Sequence, residues 1–342
     1  MLRELRNLPA PAKLNLFLHV TGRRSDGYHL LETVFQFIDL SDSLDLRLRD
    51  DGIVRRVGTT DGIEPELDLT LRAANALKAA TGCRLGVDIE LRKVIPIGAG
   101  LGGGSSDAAT VLLGLNQLWG LKLKRSDLIE IARPLGADVP VFVFGRNAYA
   151  TGIGDRFRAV ALPPRWFVVV TPPVSVATAG VFSDPKLTRN TKPITISGFS
   201  ERAPALGGRN DLQPVVVARQ PAVKAALDAL LEVTTQVDGS GGTSSNISSN
   251  ISSKRGTEGG TERSLQRSVG DSVGPSAEQA PVEGGEGHAS VRMTGSGACV
   301  FAAVQSLQRA QEVALRVLRH NVGSAQVVAG LAKHPLGSRQ VG

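Results

Sequence analysis

Five glycines fall within seven positions of the stretch Pro96-Ile97-Gly98-Ala99-Gly100-Leu101-Gly102-Gly103-Gly104-Ser105-Ser106-Asp107. Glycine is kept where the chain takes positive φ or must let something approach the backbone closely. A run this dense is either a linker or a binding loop, and its flanks favour the loop. Upstream, Val87, Ile89 and Leu91 alternate with polar residues, the period of a half-buried strand. Downstream, Ala108, Leu112, Leu115 and Trp119 recur at three- and four-residue steps, one face of a helix that Ser105, Ser106 or Asp107 can cap and Gly120 can end. Strand, glycine loop and helix N-terminus in that order make an anion site: open N–H groups and the positive end of the dipole face a phosphate that glycine lets in. No Lys follows the glycines, so this is not a P-loop. Gly98, Gly100 and Gly103 satisfy GxGxxG, but the acidic residue a dinucleotide fold needs about 20 residues on is met only by Asp127, in what reads as helix entry.

Three further groups could do chemistry. Lys13 and Asn15 share one face of an alternating strand with Phe17 and His19, opposite Leu14, Leu16, Leu18 and Val20; that face is expected to be solvated unless it walls a cleft. Tyr28 and His29 follow an Asp26-Gly27 turn, a surface corner or a pair able to stack on a base and hydrogen-bond its edge. Asp138 sits between Ala137 and Val139 where a helix ending at Gly136 gives way to an apolar segment. It either caps the next element or points into a site, where a neighbouring cation suits it to act as a base. The glycine turns at 150–157 and 293–301 read as ordinary turn chemistry.

These groups must be positioned by a chain of 342 residues, enough for two domains. No run of 18 apolar residues exists, and the N-terminus lacks the apolar core of a signal peptide. Cys83 and Cys299 lie far apart in apolar surroundings, which argues against a disulfide framework and for a reducing compartment, the cytoplasm. The formal charge is +7, yet residues 237–290 hold four basic and seven acidic side chains, leaving +10 on the remainder. A basic body suits a polyanionic ligand. The 237–290 segment has no aromatic residue, is dominated by Gly and Ser and repeats SSNI. It is expected to be a disordered insertion in a surface loop.

Five blocks together resemble the GHMP kinases: Pro11–Leu16 with Asp26–His29, Pro96–Thr110, Gly136–Phe142, Asn210–Leu212 and Thr294–Phe301. The resemblance covers nearly the whole chain except 237–290. It implies a two-lobe α/β (α+β) fold, with a lobe like domain 2 of ribosomal protein S5 over 1–155 and a ferredoxin-like lobe over 156–335. The implied activity is phosphoryl transfer from ATP, as co-substrate with Mg²⁺, to a small-molecule alcohol. ATP would lie on Pro96, Ile97, Gly98, Ala99, Gly100, Leu101, Gly102, Gly103, Gly104, Ser105 and Ser106; the metal ligands are not assigned. Asp138 matches the family's catalytic base and Lys13 its cationic partner. The N-terminal block is most similar to members acting on a cytidine-diphosphate-linked alcohol. On that likeness Tyr28 and Phe182 would sandwich cytosine, His29 would hydrogen-bond it, and Asn15 and Thr178 would surround the substrate. A homoserine or mevalonate-type alcohol is the rival within the family, and leaves Tyr28 and His29 without a base to hold. An RNA-binding module is the rival outside it, disfavoured by 4% aromatics and no Lys/Arg run interleaved with them. No nucleic-acid or membrane partner is expected.

Overall fold

The computed structural model describes residues 2–58, 64–194, 209–240 and 291–338. Its centre is an antiparallel hairpin of two long strands, β1 (Glu4–Arg23) and β2 (His29–Arg49). Along its other edge β2 pairs in turn with β5 (Ala148–Thr151), with β10 (Ser324–Leu331) and with β4 (Gly86–Arg92), which carries β3 (Val54–Val57) in parallel. Beyond β10 the sheet continues through β7 (Trp166–Thr171) and β9 (Val300–Val304) to β8 (Val291–Met293), while β6 (Arg156–Ala159) pairs with β5.

Helices cover the sheet where its strands present apolar residues. Val87, Ile89 and Leu91 of β4, at the predicted period of two, join Leu44 and Leu46 of β2 under α1 (Leu69–Thr81) and α2 (Gly103–Leu118). The α3 (Arg125–Ala132) and α4 (Val139–Phe144) helices complete this core through Leu128 and Phe142. A second core lies between β7–β9 and the helices α6 (Gln213–Arg219), α7 (Pro221–Ser240) and α8 (Leu307–Leu318), built on Val168, Val300, Val216, Leu230 and Val313. A third, with Leu14, Phe17, Ile38, Phe167 and Phe301, joins the two across the middle of the sheet. Large apolar side chains buried this completely are worth about 1.5–3 kcal/mol each, so both halves and their junction are held by ordinary packing.

Two expectations are corrected. The face of β1 bearing Lys13, Asn15, Phe17 and His19 is not solvated; none of the four is more than 6% exposed. Segments remote in sequence close over it: Asn15 N–H donates to Thr294 Oγ1 at 2.9 Å, and Leu18 exchanges backbone bonds with Arg209 and Asp211 at 3.0 and 2.8 Å. The second correction concerns α2. Its N-cap is Gly102 with no side-chain cap, and Ser105, Ser106 and Asp107 all lie inside the helix. A glycine start leaves the first-turn N–H groups unclaimed, whereas a serine or aspartate cap would have taken one. The α7 helix runs through Ser240 with Val237 buried, so the Gly/Ser-rich segment begins inside a helix; its residues 241–290 lie outside the described ones. Among the described residues no helix is long and apolar enough to cross a membrane.

Candidate active site

Lys13 is carried by β1 into the junction of the two halves, where it is 2% exposed. Its ammonium donates to Asn15 Oδ1 at 2.6 Å and to the Gly100 carbonyl at 3.0 Å, and lies 3.2 Å from Asp138 Oδ2. A buried cation needs such partners, because desolvation penalises it strongly when alone. Asp138 occupies the N-cap position of α4, yet its side chain makes no capping hydrogen bond. It turns toward Lys13 instead and stays one-third exposed, open to a ligand. It thus makes no cap and lies on the wall of a cavity. Asn15 spends its amide locally, since its Nδ2 donates to Thr33 Oγ1 at 2.8 Å while its Oδ1 steadies Lys13.

The glycine loop lies directly against this pair. Gly98, Gly100 and Gly102 take φ of +69°, +78° and +74°, a conformation that strains any residue with a Cβ. Gly100 is doubly constrained, for a Cβ there would stand 2.4 Å from the Thr294 carbonyl. Lys13 N–H and Cys299 N–H donate to the Leu101 and Ala99 carbonyls at 2.9 and 3.1 Å, clamping the loop between β1 and the β8–β9 turn. The helical ladder starts with Ser106 N–H on the Gly102 carbonyl at 2.9 Å. The preceding N–H groups therefore have no acceptor inside α2 and can receive an anion.

One cavity of about 460 Å³ runs along all of these elements. Its wall includes residues 96–105, Lys13, Asn15 and Asp138, and continues to Thr178 and Phe182 on α5 (Thr178–Phe182). Ser106 is the exception in the predicted phosphate-binding set, being fully buried and off the cavity wall. Two other predicted residues, Tyr28 and His29, are not on this wall. Tyr28 is exposed, and His29 begins β2 with its ring 5.1 Å from that of Phe182. The turn Gly295-Ser296-Gly297, read from sequence as turn chemistry alone, forms part of the wall, with Ser296 Oγ 2.7 Å from Thr178 Oγ1.

The family models for the GHMP kinase N-terminal domain and the GHMP kinase C-terminal domain match residues 68–146 and 285–323. A 4-diphosphocytidyl-2-C-methyl-D-erythritol kinase of Cupriavidus metallidurans is 45% identical over 334 residues, covering 97% of this chain and 95% of that relative. The chain belongs to this family of GHMP kinases. It is an ATP-dependent small-molecule kinase. A Burkholderia ambifaria relative of the same name is 56% identical over 68% of this chain and 81% of its own length. A crystal structure of 4-(cytidine 5'-diphospho)-2C-methyl-D-erythritol kinase superposes with a TM-score of 0.67 at 29% identity, covering 96% of this chain and 98% of that one. Homoserine kinase from Cytophaga hutchinsonii shares the fold, with a TM-score of 0.61 at 17% identity over 98% of this chain and 96% of that one.

The GHMP kinase cavity also holds a charged cluster that sequence reading missed. Lys93, at the end of β4, bridges Asp42 at 2.5 Å and Asp107 at 2.8 Å, while Asp42 Oδ1 accepts from the Val94 and Ile95 N–H groups. Lys93 and Asp107 both line the cavity. From sequence Asp107 reads only as a cap, because its partners lie 14 and 65 positions away. Burial pushes the Asp107 carboxyl up to about 7, against the pull of the Lys93 ammonium. Between its unfolded value of 3.8 and its folded value of about 7, the native state holds a proton that the unfolded chain has released. This group's contribution to stability therefore falls as pH rises through that window. Asp107→Asn removes the effect, so the midpoint of thermal unfolding of the variant, relative to the parent, should climb from pH 4 to pH 7. A difference that stays constant across the same scan would contradict the assignment.

Proposed function

We propose that this kinase transfers the γ-phosphoryl group of ATP to the 2-hydroxyl of 4-diphosphocytidyl-2-C-methyl-D-erythritol, giving the 2-phosphate, a step of isoprenoid precursor synthesis independent of mevalonate. The observation that carries the reading is the single cavity that joins the glycine loop, the Lys13–Asp138 pair and the Thr178–Phe182 wall. Phosphoryl transfer through a loose transition state asks the protein chiefly for positioning and for positive potential around the moving group. The open N–H groups at the head of α2 would hold the triphosphate, and Lys13 would offset charge on the transferring phosphoryl. The substrate hydroxyl bonds to the γ-phosphorus, its proton passes to the Asp138 carboxylate, and the bond to the β-phosphate oxygen breaks to release ADP. Phe182 and Tyr28 would stack on the cytosine, with His29 at its edge and Asn15 and Thr178 around the alcohol.

Mg²⁺ would come with the triphosphate and supply further positive charge. Among the described residues no three His, Cys, Asp or Glu side chains gather to hold a metal. Mg²⁺ takes most of its ligands from phosphate and water. Ser105, on the cavity wall in the first turn of α2, would offer it a hydroxyl oxygen. The cytoplasm is the compartment proposed, because both cysteines are free thiols.

The test is ADP release measured with three alcohols in parallel. The reading expects turnover with the diphosphocytidyl alcohol and none above background with homoserine or mevalonate. Turnover of either of the latter without the former would overturn it.

A further inference from the structure

Arg189 lies outside the cavity wall and has no part in the phosphoryl transfer just described. Its side chain nevertheless makes four hydrogen bonds. Nε donates to His29 Nε2 at 3.0 Å, Nη1 to the Leu187 carbonyl at 3.0 Å, and Nη2 to the Phe182 and Asp184 carbonyls at 3.0 and 2.7 Å. We propose that Arg189 is a positioning residue for the base-binding end of the site, fixing which imidazole nitrogen of His29 carries the proton and tying that ring to Phe182. The inference rests on the proposed cytidine-diphosphate-linked substrate.

The chemistry follows from what each group can donate. A guanidinium has only donors and stays protonated in proteins. His29 Nε2 must therefore be the acceptor, which in a neutral imidazole leaves the proton on Nδ1. The ring is kept neutral by burial and by the positive charges of Arg189 and Arg23, which lower its pKa. Held in this form, His29 offers an N–H to a base at its other edge. At N3 cytosine has an acceptor where uracil carries a donor, so an Nδ1–H directed at N3 favours cytosine, whereas O2 accepts in both bases and does not discriminate. The second half of the device is mechanical. The α5 helix has five residues, too few to hold itself, and the carbonyl of its last residue, Phe182, is one of those that Arg189 satisfies. One side chain thus links the strand that bears His29 to the helix that bears Phe182, with the two rings 5.1 Å apart.

The backbone around Arg189 is anchored independently of its side chain. Thr191 N–H donates to the Val20 carbonyl at 3.1 Å and its hydroxyl to Asp211 at 2.6 Å, while Ile194 N–H reaches both Glu32 oxygens at 3.0 Å. Arg189→Met, which keeps bulk and removes every donor, should accordingly leave the fold in place.

The experiment has a spectroscopic arm and a kinetic arm, both on the full chain. Long-range nitrogen-15 correlation spectra, with His29 assigned by comparison with His29→Gln, should show protonated Nδ1 in the parent. Arg189→Met should give a mixture of tautomers, and Arg189→Lys should keep the parent pattern. In kinetics, Arg189→Met should raise KM for the cytidyl alcohol by about tenfold, the loss of a hydrogen bond or two, with kcat and the KM for ATP near parental. The preference for the cytidyl over the uridyl form of the alcohol should fall by a similar factor, and Arg189→Lys should restore part of it. A parent His29 protonated on Nε2 would overturn the proposal, as would an Arg189→Met variant that lowers kcat and raises both KM values together. The spectra need no substrate, so their failure is distinct from a failure of the proposed activity.

Discussion

Asp138→Asn is expected to reduce kcat by about 10²–10⁴-fold, the usual worth of a positioned general base, while ATP still binds with parental affinity. Asparagine keeps the volume and an oxygen that can accept from the Lys13 ammonium, now 3.2 Å from Oδ2. The fold and the glycine loop should therefore survive the exchange. What it removes is a carboxylate on the cavity wall that pairs with Lys13, and with it the proposed acceptor for the hydroxyl proton. Steady-state turnover together with calorimetric titration of ATP separates the two effects. Near-parental kcat in a folded variant would take Asp138 out of the chemistry.

Lys13→Ala should also lower kcat, by about 10²–10³-fold, the scale seen when one electrostatic contact to a developing charge is lost. Here a structural penalty accompanies the chemical one. The ammonium satisfies Asn15 Oδ1 and the Gly100 carbonyl, and is itself 2% exposed. Removing it strands buried acceptors, each at about 1–3 kcal/mol, and opens a cavity beneath the loop. Lys13→Met fills that space without the charge, so it should recover part of the thermal stability lost by Lys13→Ala while recovering none of the kcat. Equal recovery of both by methionine would make Lys13 a packing residue.

Much of the fold was legible where local periodicity and burial coincide. The alternation in β4 and the three- and four-residue steps in α2 are read directly from the chain, although α2 is buried on nearly all its faces rather than along one stripe. Periodicity failed on β1. Alternation shows that Lys13 and Leu14 face opposite ways, but whether the polar face meets water or a second layer depends on Thr294 and Arg209, some 200 to 280 positions away. The capping prediction for α2 failed as well. Serine and aspartate are the commonest caps, but glycine also starts helices, and here it leaves the first-turn N–H groups of α2 open.

In the site, the glycine loop was legible from the chain itself, whereas Lys13 and Asp138 stood out only through the family resemblance, since their local pattern left a solvated face and a helix cap open. The structure brings all three to one wall. Lys93, Arg189 and Ser296 were not legible, because each is an unremarkable polar residue until folding puts Asp107, His29 or Thr178 beside it. The repeated glycines at 295 and 297 were the available hint for Ser296, since a tight turn that also approaches Gly100 explains why both are bare.

The most direct measurement is a crystal structure of the enzyme with a non-hydrolysable ATP analogue and the diphosphocytidyl alcohol bound together. The account predicts the triphosphate against the N–H groups of residues 98–105, and the 2-hydroxyl within hydrogen-bonding reach of Asp138 and in line with the γ-phosphorus. A triphosphate bound away from the glycine loop, or an alcohol whose hydroxyl cannot reach Asp138, would contradict it.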